Sequence, residues 1–164
     1  MRTLLLLVLL LGGAPAARAF DIDGVSLGDS ERDVTQSFPS AYCRALEWRS
    51  DAAERRCDDG RILFAGVAAR VTFYLKGDRV QAFDVRFDSR DRERVVAYLA
   101  SRYGKPHSER LDTISRPGKD DRRMYEARWE RGPEKALLSA RLGRRYAQLE
   151  VSRGDFAERI YKVQ

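Results

Sequence analysis

Residues 69–87, "ARVTFYLKGDRVQAFDVRF", constrain the fold more than any other stretch. Apolar and polar residues alternate with a period of two on both sides of Gly77-Asp78. Val71, Phe73 and Leu75 therefore point one way on the first strand, and Phe83, Val85 and Phe87 do so on the second. A two-residue Gly-Asp loop forces the strands to pair antiparallel.

The remaining elements follow from the same patterning. Upstream lies "IDGVSLGDSERDV", residues 22–34. Ser30 reads as a helix N-cap, and Asp33 can return a hydrogen bond to the cap's backbone N–H. Asp29, Glu31 and Asp33 place negative charge at the helix's positive end. Val34 and Phe38 share a face, and Pro39 stops the helix. The run "RILFAG" (61–66) reads as a strand after an Asp59-Gly60 turn. A second helix starts near Asp88-Ser89, with Val95, Val96, Leu99 and Tyr103 as its apolar stripe. Gly104 followed by Pro106 ends it. Beyond come "ERLDTIS" (109–115), a Pro117-Gly118 loop, and "RRMYEARWE" with Tyr125, Ala127 and Trp129 on one face. "KALLSARL" and "YAQLEVS" close as a hairpin through Gly143-Arg144-Arg145. The order is helix, three strands, helix, four strands. The expected class is α+β: helices packed on an antiparallel β-meander sheet, with two degenerate αβββ units at 20–88 and 89–154 inside one domain, 20–154. Residues 155–164 are expected to form a C-terminal tail.

The first residues speak to compartment. Arg2, the apolar run Leu4–Leu11 and Ala17-Arg18-Ala19 form a secretory signal peptide, 1–19, cut after Ala19. The first cysteine is Cys43, so no lipid can be attached at the new N-terminus. No other stretch approaches the length of a membrane span, so the chain is not an integral membrane protein. A periplasmic or secreted location follows. In that oxidising setting Cys43 and Cys57 are expected to form a disulfide. The closed loop of 15 residues is worth about 3 kcal/mol in the chain-entropy view.

Several chemistries lack their residues. The one histidine, His107, follows Lys105-Pro106 and reads as an exposed turn residue. There is no G-x-S-x-G elbow, and bridged cysteines cannot serve as nucleophiles. A zinc site lacks ligands. As a calcium loop, Asp21-Ile22-Asp23-Gly24 puts its glycine too early and Arg32 where glutamate belongs. As a phosphate loop, residues 22–34 lack the Gly-Lys-Ser/Thr end. No metal and no cofactor is expected. A carboxylate-based hydrolase stays open on Asp51, Glu54, Asp58 or Asp59.

Charge divides the chain. Residues 20–88 carry a net −3, and residues 89–164 a net +7. The basic half holds Arg122, Arg123, Arg128, Arg131, Arg141, Arg144 and Arg145 on its last strands and turns, beside Trp129 and Tyr146. Arg122, Arg123, Arg128, Trp129, Arg141, Arg144 and Arg145 are the candidate anion- or partner-binding residues. Nucleic acid is disfavoured as a partner by the compartment.

"GVSLGDSERDVTQSFP" resembles the start of BamE-like (SmpA/OmlA) periplasmic domains. Gly24, Val25, Gly28, Ser30, Val34 and Pro39 match that pattern. "VVAYLASRYGKP" is a looser second instance of helix then proline. Tandem units of this kind also look like the β-lactamase-inhibitor-protein fold. The resemblance implies a non-enzymatic protein that binds other proteins or supports outer-membrane assembly, although BamE itself carries a lipid that this chain has no cysteine to hold. The expected function is a soluble, exported, non-catalytic module that binds an unidentified periplasmic or outer-membrane protein. The alternative is binding to lipopolysaccharide, anionic lipid or cell-wall polymer through an arginine-rich face.

Overall fold

A computed structural model describes residues 19–161. The signal peptide expected over 1–19 lies, but for Ala19, outside the described residues. The protein is α+β, dominated by one large antiparallel sheet with few helices.

A small hairpin opens the fold: β1 (Asp21–Ile22) pairs with β2 (Val25–Ser26). Then comes α1 (Glu31–Ser37). Ser30 caps it as expected: its hydroxyl accepts from the Asp33 N–H, and the Asp33 carboxylate accepts from the Ser30 N–H at 2.9 Å. Four strands follow: β3 (Tyr42–Ala45), β4 (Arg55–Phe64), β5 (Val67–Lys76) and β6 (Arg79–Asp88). A 3-10 turn at Ser89–Asp91 leads into α2 (Arg92–Tyr103). The second group is β7 (Ser108–Arg116), β8 (Lys119–Arg131), β9 (Glu134–Arg141) and β10 (Tyr146–Arg153). A short helix, α3 (Phe156–Arg159), ends the described chain.

Eight strands form one sheet in the order β3-β4-β5-β6-β10-β9-β8-β7. All neighbours run antiparallel. The last strands of the two groups, β6 and β10, lie side by side at the centre, with Asp84 directly opposite Glu150. The Gly77-Asp78 hairpin forms as the alternation dictates. Both residues have positive φ, 54° and 56°, which a two-residue turn of this hand demands.

One face of the sheet is the core. Phe73, Phe83, Val85, Phe87, Trp129, Leu138 and Leu149 are buried there in one cluster with Val34, Phe38, Val95, Leu99 and Tyr103 of the helical segments. The other face is open and polar over most of its area. One end of it is covered by a smaller cluster, in which Tyr74 and Ala82 meet Ala52, Ala53, Phe156 and Ile160.

Three expectations need correction. The first group has four strands, because Tyr42–Ala45 pairs with β4 and Cys43 lies directly opposite Cys57. The disulfide itself forms, and it staples this edge strand to its neighbour. Asp59-Gly60 is no turn but a bulge inside β4, where the register shifts between Asp59 and Ile62. The chain reverses instead at Ala65-Gly66, both with positive φ. Residues from 155 are not a bare tail: α3 folds back and buries Phe156 and Ile160. That segment has apolar residues four apart, one helical turn, and so buries one stripe.

Candidate functional site

The open face is built by the alternate positions of the strands whose other positions fill the core. On β5 these are Arg70, Thr72 and Tyr74; on β6 they are Asp84 and Arg86. On β4 they are Arg56 and Asp58, and on β3, Arg44. These side chains, with Trp48 and Tyr161, line a cleft of about 470 Å³. A second cleft of about 390 Å³ shares Gly60, Arg70 and Arg86 with it, and adds Asp88, Arg90, Arg145 and Tyr146.

The charges in the first cleft are unequally satisfied. Asp58 is saturated: Arg56 grips it with two hydrogen bonds, 2.8 and 2.9 Å. The Thr72 hydroxyl donates to it at 2.7 Å, and Arg44 stands 3.7 Å away. Arg70 and Arg86, by contrast, face each other directly across β5 and β6. Among the described residues neither makes an ion pair; Arg70 lies over the Tyr146 ring at 5.7 Å. Like charges directly opposite in a sheet are destabilising.

Asp84 is the most perturbed acid. It is half-buried. Its Oδ2 accepts only a long hydrogen bond from the Tyr74 hydroxyl, 3.4 Å, and its Oδ1 is enclosed without a partner among the described residues. Burial first, and the Glu150 charge opposite second, push its pKa up to about 6, against the weaker pull of Gln148, Tyr74 and Arg86. Burial likewise pushes the Tyr74 hydroxyl up, so it stays a donor at neutral pH. The cleft's aromatic wall is Trp48, whose Nε1 donates to the Ile160 carbonyl at 2.8 Å and whose ring stacks on Tyr161.

The seven residues singled out from the sequence do not form one site. Arg122, Arg128 and Arg141 share the open face on β8 and β9 by register. Arg128 stands 3.8 Å from Glu130, and the Arg122 Nε is enclosed without a partner among the described residues. Arg123 falls on the opposite side of β8. Arg144 and Arg145 form the β9–β10 turn, their carbonyls accepting from Ser89, with the Arg145 guanidinium over Tyr146 at 5.2 Å. Trp129 must be withdrawn: it is 1 % exposed and donates from Nε1 to the Gly104 carbonyl at 2.8 Å, so no ligand reaches it. It belongs to the core because it shares the parity of Tyr125 and Ala127.

The acids weighed for hydrolysis are also dispersed in role. Asp58 is held by arginines, buried Asp59 accepts from the Arg61 N–H at 3.0 Å, and Glu54 accepts from the Gly77 N–H at 3.2 Å. The one grouping of metal-ligand type among the described residues is Glu31 with Cys43 and Cys57. It is no site, since the sulfurs are joined to each other and Glu31 binds Arg55 at 2.6 and 2.9 Å. His107 is exposed in its turn, as expected.

Sequence reasoning missed Arg70, Arg86, Asp84 and Glu150. They sit at the polar beats of strands read for their apolar ones. The net −3 of residues 20–88 also hid the arginines, because acids such as Asp58 cancel in the sum while occupying other partners.

The fold and the cleft define an α+β protein with a charged, solvent-facing sheet surface. No protein-family model and no curated protein matches the chain. Among solved structures, a DUF4309 family protein (YjgB) from Bacillus subtilis subsp. subtilis str. 168 is similar at 10% identity, over 79% of this chain and 82% of that chain, with a TM-score of 0.44. No helix among the described residues is long and apolar enough to cross a membrane.

Proposed function

We propose that this protein is an exported, non-catalytic binding module that takes an anionic component of the cell envelope on its open sheet face. The observation that carries the reading is the cross-strand pair Arg70 and Arg86, which makes no ion pair among the described residues and lines two clefts. Arginine is suited to carboxylate and phosphate because its planar fork binds two oxygens at once. The Cys43–Cys57 disulfide supports an oxidising compartment, and the signal-like residues 1–19 support export. The two helix-then-four-strand groups that meet at β6 and β10, with Val34 of α1 and Val95 and Leu99 of α2 buried in the same core, support the reading of 20–88 and 89–154 as degenerate repeats with helices packed on a meander.

The test is binding at low and high salt to three purified materials: lipopolysaccharide, anionic phospholipid vesicles and an anionic cell-wall polymer. At least one should bind, weaken as salt screens the charges, and be lost with Arg70→Gln/Arg86→Gln. Salt-independent binding, or none to any of the three, overturns the reading.

A second reading, binding to a periplasmic or outer-membrane protein, is favoured by one feature. Leu111 and Ile114 on the edge strand β7 are 49 % and 48 % exposed. An edge strand offers unpaired backbone groups to an incoming strand. A stoichiometric partner recovered from the periplasm, and lost with Leu111→Asp, would establish it.

A further inference from the structure

We infer that the open face carries a groove for a short acidic oligosaccharide, a chain of sugar rings bearing carboxylate or phosphate groups. This deepens the proposed function and rests on it. The two clefts adjoin, because Gly60, Arg70 and Arg86 line both. Each has the size of an ordinary ligand pocket, roughly 300–1,000 Å³. From Tyr74 to Arg70 the strand alone covers roughly 13 Å, at ~3.3 Å per residue. That is the length of several rings in a row.

Three features favour sugar over a lipid surface. First, aromatic rings stand at both ends. Tyr161 is 71 % exposed against Trp48 at one end, and Tyr146 is 43 % exposed at the other, flanked by Arg70 and Arg145. A pyranose stacks its C–H face on such a ring; at Tyr146 it does so by displacing one of the guanidinium groups that lie over the ring. Second, acids are mixed with the arginines. Asp84 and Asp59 line the first cleft, and Asp88 and Asp91 line the second. Such acids repel a bare polyanion but accept hydrogen bonds from hydroxyl groups. Third, the arginine pair lines clefts that a chain can enter and a flat bilayer cannot. Arg70 and Arg86 are the anchors for the acidic group, and Asp84 beside them offers a ring hydroxyl only Oδ2, which the Tyr74 hydroxyl holds weakly at 3.4 Å, since its Oδ1 is enclosed.

The experiment uses tetragalacturonate as the acidic probe and maltotetraose as the neutral one, read by calorimetry and by tryptophan fluorescence. Only Trp48 and Trp129 are present, and Trp129 is buried, so a ligand-dependent change reports on Trp48. Tetragalacturonate should bind, shift the emission and weaken with salt. Arg70→Gln and Arg86→Gln should each lower affinity about tenfold. Tyr146→Ala should lower it several-fold, and Arg128→Gln, on the same face outside the groove, should leave it unchanged. Thermal melts of each variant show that the fold is intact. Equal binding of maltotetraose, equal loss in Arg128→Gln, or equal affinity for monomeric galacturonate overturns the groove. Failure of tetragalacturonate while an envelope component still binds removes the sugar inference alone; failure of all of them removes the proposed function as well.

Discussion

Asp84 gives a stability test that separates a functional charge from a structural one. The perturbation is Asp84→Asn, which keeps the shape and removes the charge. Tyr74 and Thr72 flank the carboxyl from β5, Glu150 and Gln148 from β10, and Arg86 along its own strand. Raising this acid from its ordinary 3.8 to about 6 corresponds to roughly 3 kcal/mol, at about 1.4 kcal/mol per pH unit. The sign follows from proton binding. Below about pH 4 the group is protonated in both folded and unfolded chains, and no penalty applies. Between about 4 and 6 the unfolded chain has released the proton that the folded one keeps, so stability falls as pH rises. Above about 6 the folded protein carries the full penalty. The neutral amide of the variant never carries it. The variant's advantage should therefore be near zero at pH 3.5 and grow to as much as about 3 kcal/mol at pH 7.5, about 10 °C in melting temperature for a domain of this size. Urea unfolding at the two pH values measures it. An advantage that is the same at both values, or a less stable variant at pH 7.5, refutes the assignment of the cost to this carboxylate. Glu150→Gln should produce a smaller gain over the same window, since it removes only the second cause.

Other perturbations address the frame around the site. Removing the disulfide with Cys43→Ala/Cys57→Ala, or reducing it, should cost about 3 kcal/mol for its 15-residue loop. It should also release β3, which has only four residues, so amide exchange should rise at Tyr42–Ala45 before the central strands. Ala65 holds φ at +53° in the β4–β5 turn, where alanine is strained, so Ala65→Asn should raise stability by roughly 0.5–1 kcal/mol in urea unfolding. Trp129→Phe loses the hydrogen bond to Gly104 and leaves a void in the core; a cost of about 2–4 kcal/mol is expected from denaturant midpoints, with affinity for any open-face ligand unchanged.

The elements legible in the sequence are those whose signal is local. The Gly77-Asp78 hairpin, the Ser30–Asp33 capping box and the Tyr125, Ala127, Trp129 stripe each declare themselves within a dozen residues. What stayed hidden depends on contacts distant in sequence. Strand β3 is four residues without alternation, and its pairing with β4 is fixed by the cystine and the ladder. The Ala65-Gly66 turn carries no Asn or Asp, while Asp59-Gly60 carries a turn's usual residues but is spent on a bulge. The candidate site was the least legible part. A strand's polar positions look alike until the register is known, and only the register puts Arg70 against Arg86.

That register places unfavourable pairs in adjacent rows on the two sides of β6. Arg70 opposes Arg86 in one row, and Asp84 opposes Glu150 in the next. Each costs about 0.2–1 kcal/mol in an exposed sheet, and Asp84, half-buried, costs more. A sheet selected only for stability would relieve both by exchanging a single residue in each, since an acid at Arg70 or a base at Glu150 makes its pair complementary. Sequences depart from such local consistency mainly where a site requires it. A ligand that brings an anion to the arginines removes the first conflict, and one that also brings a hydroxyl to Asp84 eases the second. The charge pattern therefore makes two linked demands on the ligand, negative charge and a hydrogen-bond donor within one strand row of it, and an acidic sugar meets both.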